Sequence, residues 1–170
     1  MNDMFGSCQK LISLNLDSFD TSNVTDANYM FQSCKLLETI SNLNLIKAKS
    51  VNVMFNNCYA LKNLTVYNIK KSFIIGSGTT YGTLLTLDSL VHTIQQLWDL
   101  TGSTSQTLTM STTSKELIAN VYVKLVEPTA EQIEADPNIT SKKPCIVCES
   151  TDECAMTITE YATSKNWAIA

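Results

Sequence analysis

Apolar and polar positions in the first third of the chain recur as a block. Met4-Phe5, Met30-Phe31 and Met54-Phe55 open three copies, 26 and 24 residues apart. Cys8, Cys34 and Cys58 follow three positions after each Phe, and Leu11, Leu37 and Leu61 three positions later again. Each copy then runs into "LISLNL", "LLETISNLNL" or "LKNLTV", sharing L-x-x-[LI]. A period of about 20–29 residues with L-x-x-L-x-L is the leucine-rich-repeat signature. Alternation at Leu14-x-Leu16 and Leu64-x-Val66 predicts short strands with one buried face. It turns Ser13, Asn15 and Asp17 of the first copy outward, and Asn63, Thr65 and Tyr67 of the third. Between strands, Val24-Ala27-Met30 and Ala48-Val51-Met54 are spaced by three and predict a short helical turn on the opposite side, with Phe31 and Phe55 plugging the core. One copy cannot bury these faces alone, whereas stacked copies share a continuous core.

After Ile69 the pattern changes. "IGSGTTYG", residues 75–82, holds three of the five glycines and reads as a connecting loop. "TLDSLVHTIQQLWDLTG" predicts a helix capped by Thr86 or Asp88. Leu87, Leu90, Val91, Ile94, Leu97 and Trp98 form its apolar stripe, and Gly102 stands at its C-terminal end. "TSQTLTMS" predicts a strand with Leu108 and Met110 on one face, and "TSKELIANVYVKLV" a second helix from a Thr113 or Ser114 cap. "PTAEQIEADPNI" predicts a short acidic helix and "KKPCIVCES" a strand. Thr157-Ile-Thr-Glu160 is a capping box opening a helix that ends near Asn166, and the terminal "AIA" predicts one more strand.

The stretch MFxxCxxLxxLxLxxFDTSNVTDxxxMF, residues 4–31, resembles the BspA-type leucine-rich-repeat family, in the subgroup whose repeats read dTSNVTdMsyMF. Residues 34–67 follow it more loosely, and Ala27 stands where that pattern has Met. The resemblance implies a solenoid found on bacterial surface proteins and in phage or prophage structural proteins, acting by adhesion or recognition, with no catalytic residues in its pattern. The later part resembles C-terminal ends that accompany such repeats in phage and prophage proteins of gut bacteria. There Lys165-Asn166-Trp167-Ala168-Ile169 matches a KGW-T-L-like tail, with Asn166 in the Gly place. The expected fold is α/β: a short leucine-rich-repeat solenoid with a parallel strand ladder over residues 1–74, about three copies. An irregular helix-strand region over 75–170 is expected to continue and cap it.

Charge narrows the partners. A net charge of -4, with only Lys47, Lys49 and Lys70-Lys71 as basic clusters, argues against a nucleic-acid surface. No apolar run approaches the roughly 20 residues of a membrane helix, so membrane insertion is not expected. "MNDMFGSC" has neither the basic nor the apolar region of a signal peptide. An extracellular surface or virion location follows from the family resemblance alone. The chain opens inside a repeat, so its first copy is expected to be the edge of a longer parent or to be covered by a partner, self-association included.

Candidate chemistry is sparse. Cys8, Cys34 and Cys58 are expected as packed thiols of the repeat. Cys145-Ile-Val-Cys148 with Cys154 and a distant His92 makes a poor zinc set, so thiols are expected there too, with a disulfide within the trio as a weaker alternative. His92 is expected to be solvated on the polar side of its helix. Glu127, Glu131, Glu134, Asp136, Glu149, Asp152 and Glu153 form no calcium loop and read as a solvated acidic face. "IGSGTTYG" lacks the lysine of a phosphate loop. Trp98 and Trp167 are expected in the core. No catalytic residue, metal or cofactor is expected. The expected function is binding to a protein or a surface glycan through Asn15, Asp17, Asn63, Thr65 and Tyr67. The alternatives are a purely structural assembly part and, less favoured, a hydrolase in the C-terminal half, for which a thiol hydrogen-bonded to His92 would be the sign.

Overall fold

The computed structural model describes residues 1–77, 81–82, 84–142, 144–148, 153–154 and 156–170. In chain order the elements are β1 (Ser13–Asn15), β2 (Thr39–Asn44), β3 (Asn63–Tyr67), β4 (Phe73–Ile74), β5 (Gly76–Ser77) and β6 (Tyr81–Gly82). Helix α1 (Leu87–Gln95) comes next, then β7 (Gln106–Thr109), α2 (Thr112–Ile118), β8 (Tyr122–Leu125) and α3 (Ala130–Ala135). A 3-10 turn (Ile139–Lys142), β9 (Cys145–Val147), β10 (Met156–Thr157), α4 (Ile158–Ser164) and β11 (Trp167–Ile169) complete the chain. It is a mixed α/β fold whose first part is a parallel sheet in the order β1-β2-β3. Among the described residues there are four α-helices, and none is long and apolar enough to cross a membrane.

Parallel pairing sets equivalent residues side by side: Leu14 against Ile40, and Ile40 against Leu64. The repeat then stacks on the opposite side through the backbone. Phe5 N–H donates to Met30 O (2.9 Å) and Phe31 N–H to Met54 O (3.1 Å). The Phe5 and Phe31 rings stack at 5.4 Å and 2°, and Phe31 and Phe55 at 5.6 Å and 6°. Phe73 closes the stack edge-on at 5.7 Å. The cysteines have a specific role: Cys34 Sγ donates to Phe5 O and Cys58 Sγ to Phe31 O, each at 3.0 Å. A small apolar side chain with a weak donor fits there, because the carbonyl next to each stacked ring faces the interior. Cys8, which opens the series, is exposed, contrary to the expected packing.

The expected helical turns between strands are absent. Tyr29, Ser33, Val53 and Asn57 adopt φ of 57°, 61°, 56° and 62°. Left-handed residues interrupt a helix, and for β-branched Val53 that conformation is strained. The chain makes successive i→i+3 turns instead, Gln32 N–H to Tyr29 O (2.9 Å) and Cys34 N–H to Phe31 O (3.1 Å). The N–H groups a helix would use internally point sideways to the next copy, as Tyr29 N–H does to Asn52 O and Ser33 N–H to Asn56 O.

A fourth turn of chain enters in register and then changes. Glu38 N–H donates to Ile12 O, Lys62 N–H to Glu38 O and Thr86 N–H to Lys62 O, the last two at 2.9 Å. Thr86 caps α1, its side chain accepting from Ser89 N–H. The open edge of β3 is therefore met by a helix. Leu64 N–H donates to Ser89 Oγ (3.1 Å) and His92 Nε2 lies 3.0 Å from Val66 O. Ser89 and His92 share one helix face because they are three residues apart, and their reach spans the two-residue rise of the strand. The helix stops at Gln95, well before Gly102, which sits in a later turn at φ 83°. Ile69 N–H donates to Gln96 O and Trp98 N–H to Ile69 O, so pairing with the preceding chain pulls residues 96–98 out of the helix.

Six of the remaining strands form an all-parallel sheet, β11-β7-β4, and an antiparallel one, β10-β8-β9. The predicted 113–126 helix splits. Ser111 caps α2, which ends at Ile118, and Val121 and Val123 are buried in and beside β8. Strands on both sides of β8 satisfy its backbone, which outweighs the weak helical preference of Val-Tyr-Val. Gly76–Ser77 and Tyr81–Gly82 pair antiparallel where a plain loop was expected, and residues 78–80 between them lie outside the described part. Helix α3, and α4 with its capping box at Thr157 and Glu160, follow the sequence reading, and α3 adds a box of its own at Thr129 and Gln132. The core of this part holds Trp167, Tyr161 and two lysines. Lys142 is ion-paired with Asp136 and also reaches Gln96 Oε1 (2.8 Å), while Lys165 donates to the Tyr161 hydroxyl (2.7 Å). Trp167 fills the core as expected, whereas Trp98 is half-buried under Lys70, whose Nζ stands 3.4 Å from the ring centroid. Cys148 and Cys154 form a disulfide, with Cα atoms 6.1 Å apart, in place of the expected thiols. The six-residue separation closes a short loop and lets the two Cβ atoms approach.

Candidate functional site

The outward face of the ladder carries the polar residues singled out above. Asn15 ends β1, exposed, and works on its neighbour: its Oδ1 accepts from Asp17 N–H (2.7 Å) and from Ser41 Oγ (3.3 Å), and its Nδ2 donates to Asp17 Oδ2 (3.0 Å). The other Asp17 oxygen accepts from Asn42 Nδ2. Asn63 opens β3, exposed, and donates to Thr39 Oγ1 (3.4 Å). Thr65 and Tyr67 are half-buried on the same strand. Tyr67 meets the His92 ring edge-on, with centroids 5.2 Å apart.

Four of these five residues divide between two open clefts. Asp17 and Tyr67 line one of about 330 Å³ with Leu16, Phe19, Asp20, Thr21, Asn42 and Asn44. Asn63 and Thr65 line another of about 350 Å³ with Leu64, Thr86, Asp88, Ser89 and His92. Asn15 lines neither and positions Asp17. The first cleft rests on a pre-set polar network. Asn44 N–H donates to buried Thr21 Oγ1 (2.8 Å), and Asn44 Oδ1 accepts from Ile46 N–H (3.1 Å) and Asn68 Nδ2 (2.9 Å). Asn42 is the extra residue where the β2–β3 register shifts, and its φ of 57° swings its amide to Asp17. Asp20 is held below its ordinary pKa by hydrogen bonds from Ser22 and Asn23, with Lys47 adding to the effect.

Phe19, Asn42 and Asn44 escaped the sequence reading. The clue was the strand segment of the second copy, where Ile40-x-x-Leu43 stands against Leu14-x-Leu16 and Leu64-x-Val66, so that one residue had to bulge. His92 was also misplaced. It is half-buried against β3 and not solvated, with Nε2 carrying the proton because a carbonyl only accepts. Burial lowers its pKa, the Val66 bond opposes that, and Lys142 adds to it.

Among the described residues no thiol is hydrogen-bonded to His92. Cys145 lies instead against Tyr161 and Gln95, and burial pushes its thiol up. No group of three His, Cys, Asp or Glu among the described residues could hold a metal ion. Glu127, Glu131 and Glu134 are exposed, Asp136 pairs with Lys142, and Glu149 and Asp152 lie outside the described residues.

Residues 1–75 match the family model described as Mycoplasma protein of unknown function, DUF285, which covers less than half of the 170 residues. That match is consistent with the BspA-type resemblance of the repeats. No curated protein and no solved structure matches the chain.

Proposed function

We propose that this chain is a non-catalytic recognition module of a bacterial-surface or phage-tail protein. Its first 74 residues act as a short leucine-rich-repeat solenoid, and residues 75–170 close that solenoid from α1 onward. The observation that carries the reading is the polar face of the ladder, where side chains from three successive copies converge on one cleft and those of the third copy and α1 on a second. The network beneath them is already hydrogen-bonded, so little side-chain order remains to be imposed on binding. The partner is a protein or a surface glycan. The test is an array of extracellular-matrix proteins and bacterial and host glycans, probed with the wild type and an Asp17, Thr65, Tyr67 triple alanine variant. Signals that the triple variant loses support the reading. Equal signals from both, or none from the wild type, overturn it.

A second reading is self-association through the first copy. Met4 and Ile12 are 56% and 58% exposed there, and β1 forms the edge of its sheet. Light scattering over a concentration series tests this: a concentration-dependent oligomer dispersed by Ile12→Lys supports it, and a monomer throughout overturns it.

A further inference from the structure

We infer that the cleft between Asp17 and Tyr67 takes a neutral saccharide unit of an oligosaccharide, an assignment that rests on the recognition reading above. Three features of the cleft point to that chemistry. Its polar lining is made chiefly of planar carboxylate and amide groups held in place. Asp17 is fixed by the Asn15 and Asn42 amides, which occupy one position on each of its oxygens and leave further lone pairs. Asn42 keeps a second N–H beyond the one given to Asp17, and Asn44, whose Oδ1 already takes two bonds, presents its Nδ2. A fixed carboxylate beside fixed amide donors matches neighbouring hydroxyls, each of which both donates and accepts.

Aromatic surface is the second feature. Phe19 is 51% exposed and lines the cleft together with half-buried Tyr67. An exposed ring beside polar groups suits the C–H face of a pyranose, which is apolar on its face and polar at its rim. The third feature is charge. Asp17 and Asp20 line the cleft and no Lys or Arg does, which disfavours sialylated or phosphorylated sugars. Lys47, the cation close enough to influence Asp20, is engaged with Asn23 Oδ1 at 2.7 Å.

An extended peptide adding to β3 as a further strand is disfavoured, because Ser89 and His92 of α1 already take its edge. The second cleft lies along the same strand. Asn63 and Tyr67 are four residues apart, about 13 Å at the rise of a strand, so an oligosaccharide of three or so units would reach both.

The experiment is a titration of the full chain followed by backbone and Asn side-chain amide NMR. The probes are the neutral maltotetraose, cellotetraose and mannotetraose, the anionic 3′-sialyllactose and the cationic tetralysine. At least one neutral probe is expected to shift the Asn42 and Asn44 side-chain amides. Phe19→Ala should weaken that binding about tenfold. Phe19 is exposed, so this variant leaves the fold intact. Tyr67→Phe should preserve it, because the ring is what stacks.

If tetralysine or sialyllactose alone shifts these amides, the saccharide assignment falls while face recognition stands. If no probe shifts them but the array signals above vanish in the triple variant, the assignment falls in favour of a protein partner. If the array signals are indifferent to the triple variant, both fall. An unchanged affinity in Phe19→Ala overturns the stacking role and with it the assignment.

Discussion

Two parts of this molecule build their cores by opposite means. In the first 75 residues one residue type does the same job in each copy: Phe5, Phe31 and Phe55 stack in series, and Cys34 and Cys58 each tie off the carbonyl of the preceding ring. Beyond residue 76 the buried polar contacts among the described residues are individual. Lys165 reaches the Tyr161 hydroxyl, Lys142 reaches Gln96 and Asp136, and Trp167 Nε1 donates to Trp98 O. A periodic core spreads the effect of a lesion to its neighbours in the stack, whereas a core of single contacts concentrates it.

The sharpest way to break that contrast is at the middle ring. Phe31→Ala should cost about 3–5 kcal/mol, the range for truncating a buried aromatic. Phe5→Ala, at the half-buried start of the stack, should cost distinctly less. Equal losses in urea unfolding would mean that the stack is not a graded series. Next in size is the junction of the two parts. Ser89→Ala leaves the Leu64 N–H without its acceptor beneath α1 and should cost about 1–3 kcal/mol. It should also raise hydrogen exchange at Leu64 specifically.

The thiols sharpen the comparison through pH. Burial pushes Cys58 up from 9.0 to about 12, and Cys34, Cys145 and Tyr161 are also raised, each chiefly by burial. A folded pKa above the unfolded one means that the folded chain holds its proton longer. The stability is then full below about pH 9 and is lost as pH rises toward 12. Cys8, exposed, should be alkylated by iodoacetamide in the native protein, with Cys34, Cys58 and Cys145 protected until unfolding. His92 works the other way. Its pKa lies below the ordinary 6.5, so its contribution is present above that pH and fades as pH falls through its folded value. His92→Gln should flatten that acid limb in a melting-temperature profile. The smallest effect belongs to Thr129→Ala, about 1 kcal/mol or less from a lost capping box. Because α3 buries no residue, the change should show as local fraying more than as a lower melting temperature.

Much of the first part was legible, because a repeated apolar pattern states its own register. Leu14, Ile40 and Leu64 align in the structure at the spacing seen in the chain. The helical turns expected between strands were not legible. Spacing by three fits both a helix and a run of tight turns, and left-handed φ at Tyr29 and Val53 leaves no mark in the residue type. The outward-facing residues could be named from alternation. Their division into two clefts could not, because Asn42 joins Asp17 only through a bulge and His92 joins Thr65 only through the docking of α1. The Tyr122–Leu125 strand was missed for a related reason: its two pairing partners, at residues 145–147 and 156–157, are distant in sequence.

The sequence by itself determined the ladder, the capped starts of α1 and α4, and which strand residues face outward. Those follow from local periodicity and from hydrogen bonds that reach only a few residues. Tertiary structure alone decided where α1 ends, that Ser89 and His92 close the edge of β3, that Cys148 joins Cys154, and which polar groups share a cleft. The first two depend on a backbone group finding its partner in more distant chain, and the others on side chains that meet only when the fold has packed.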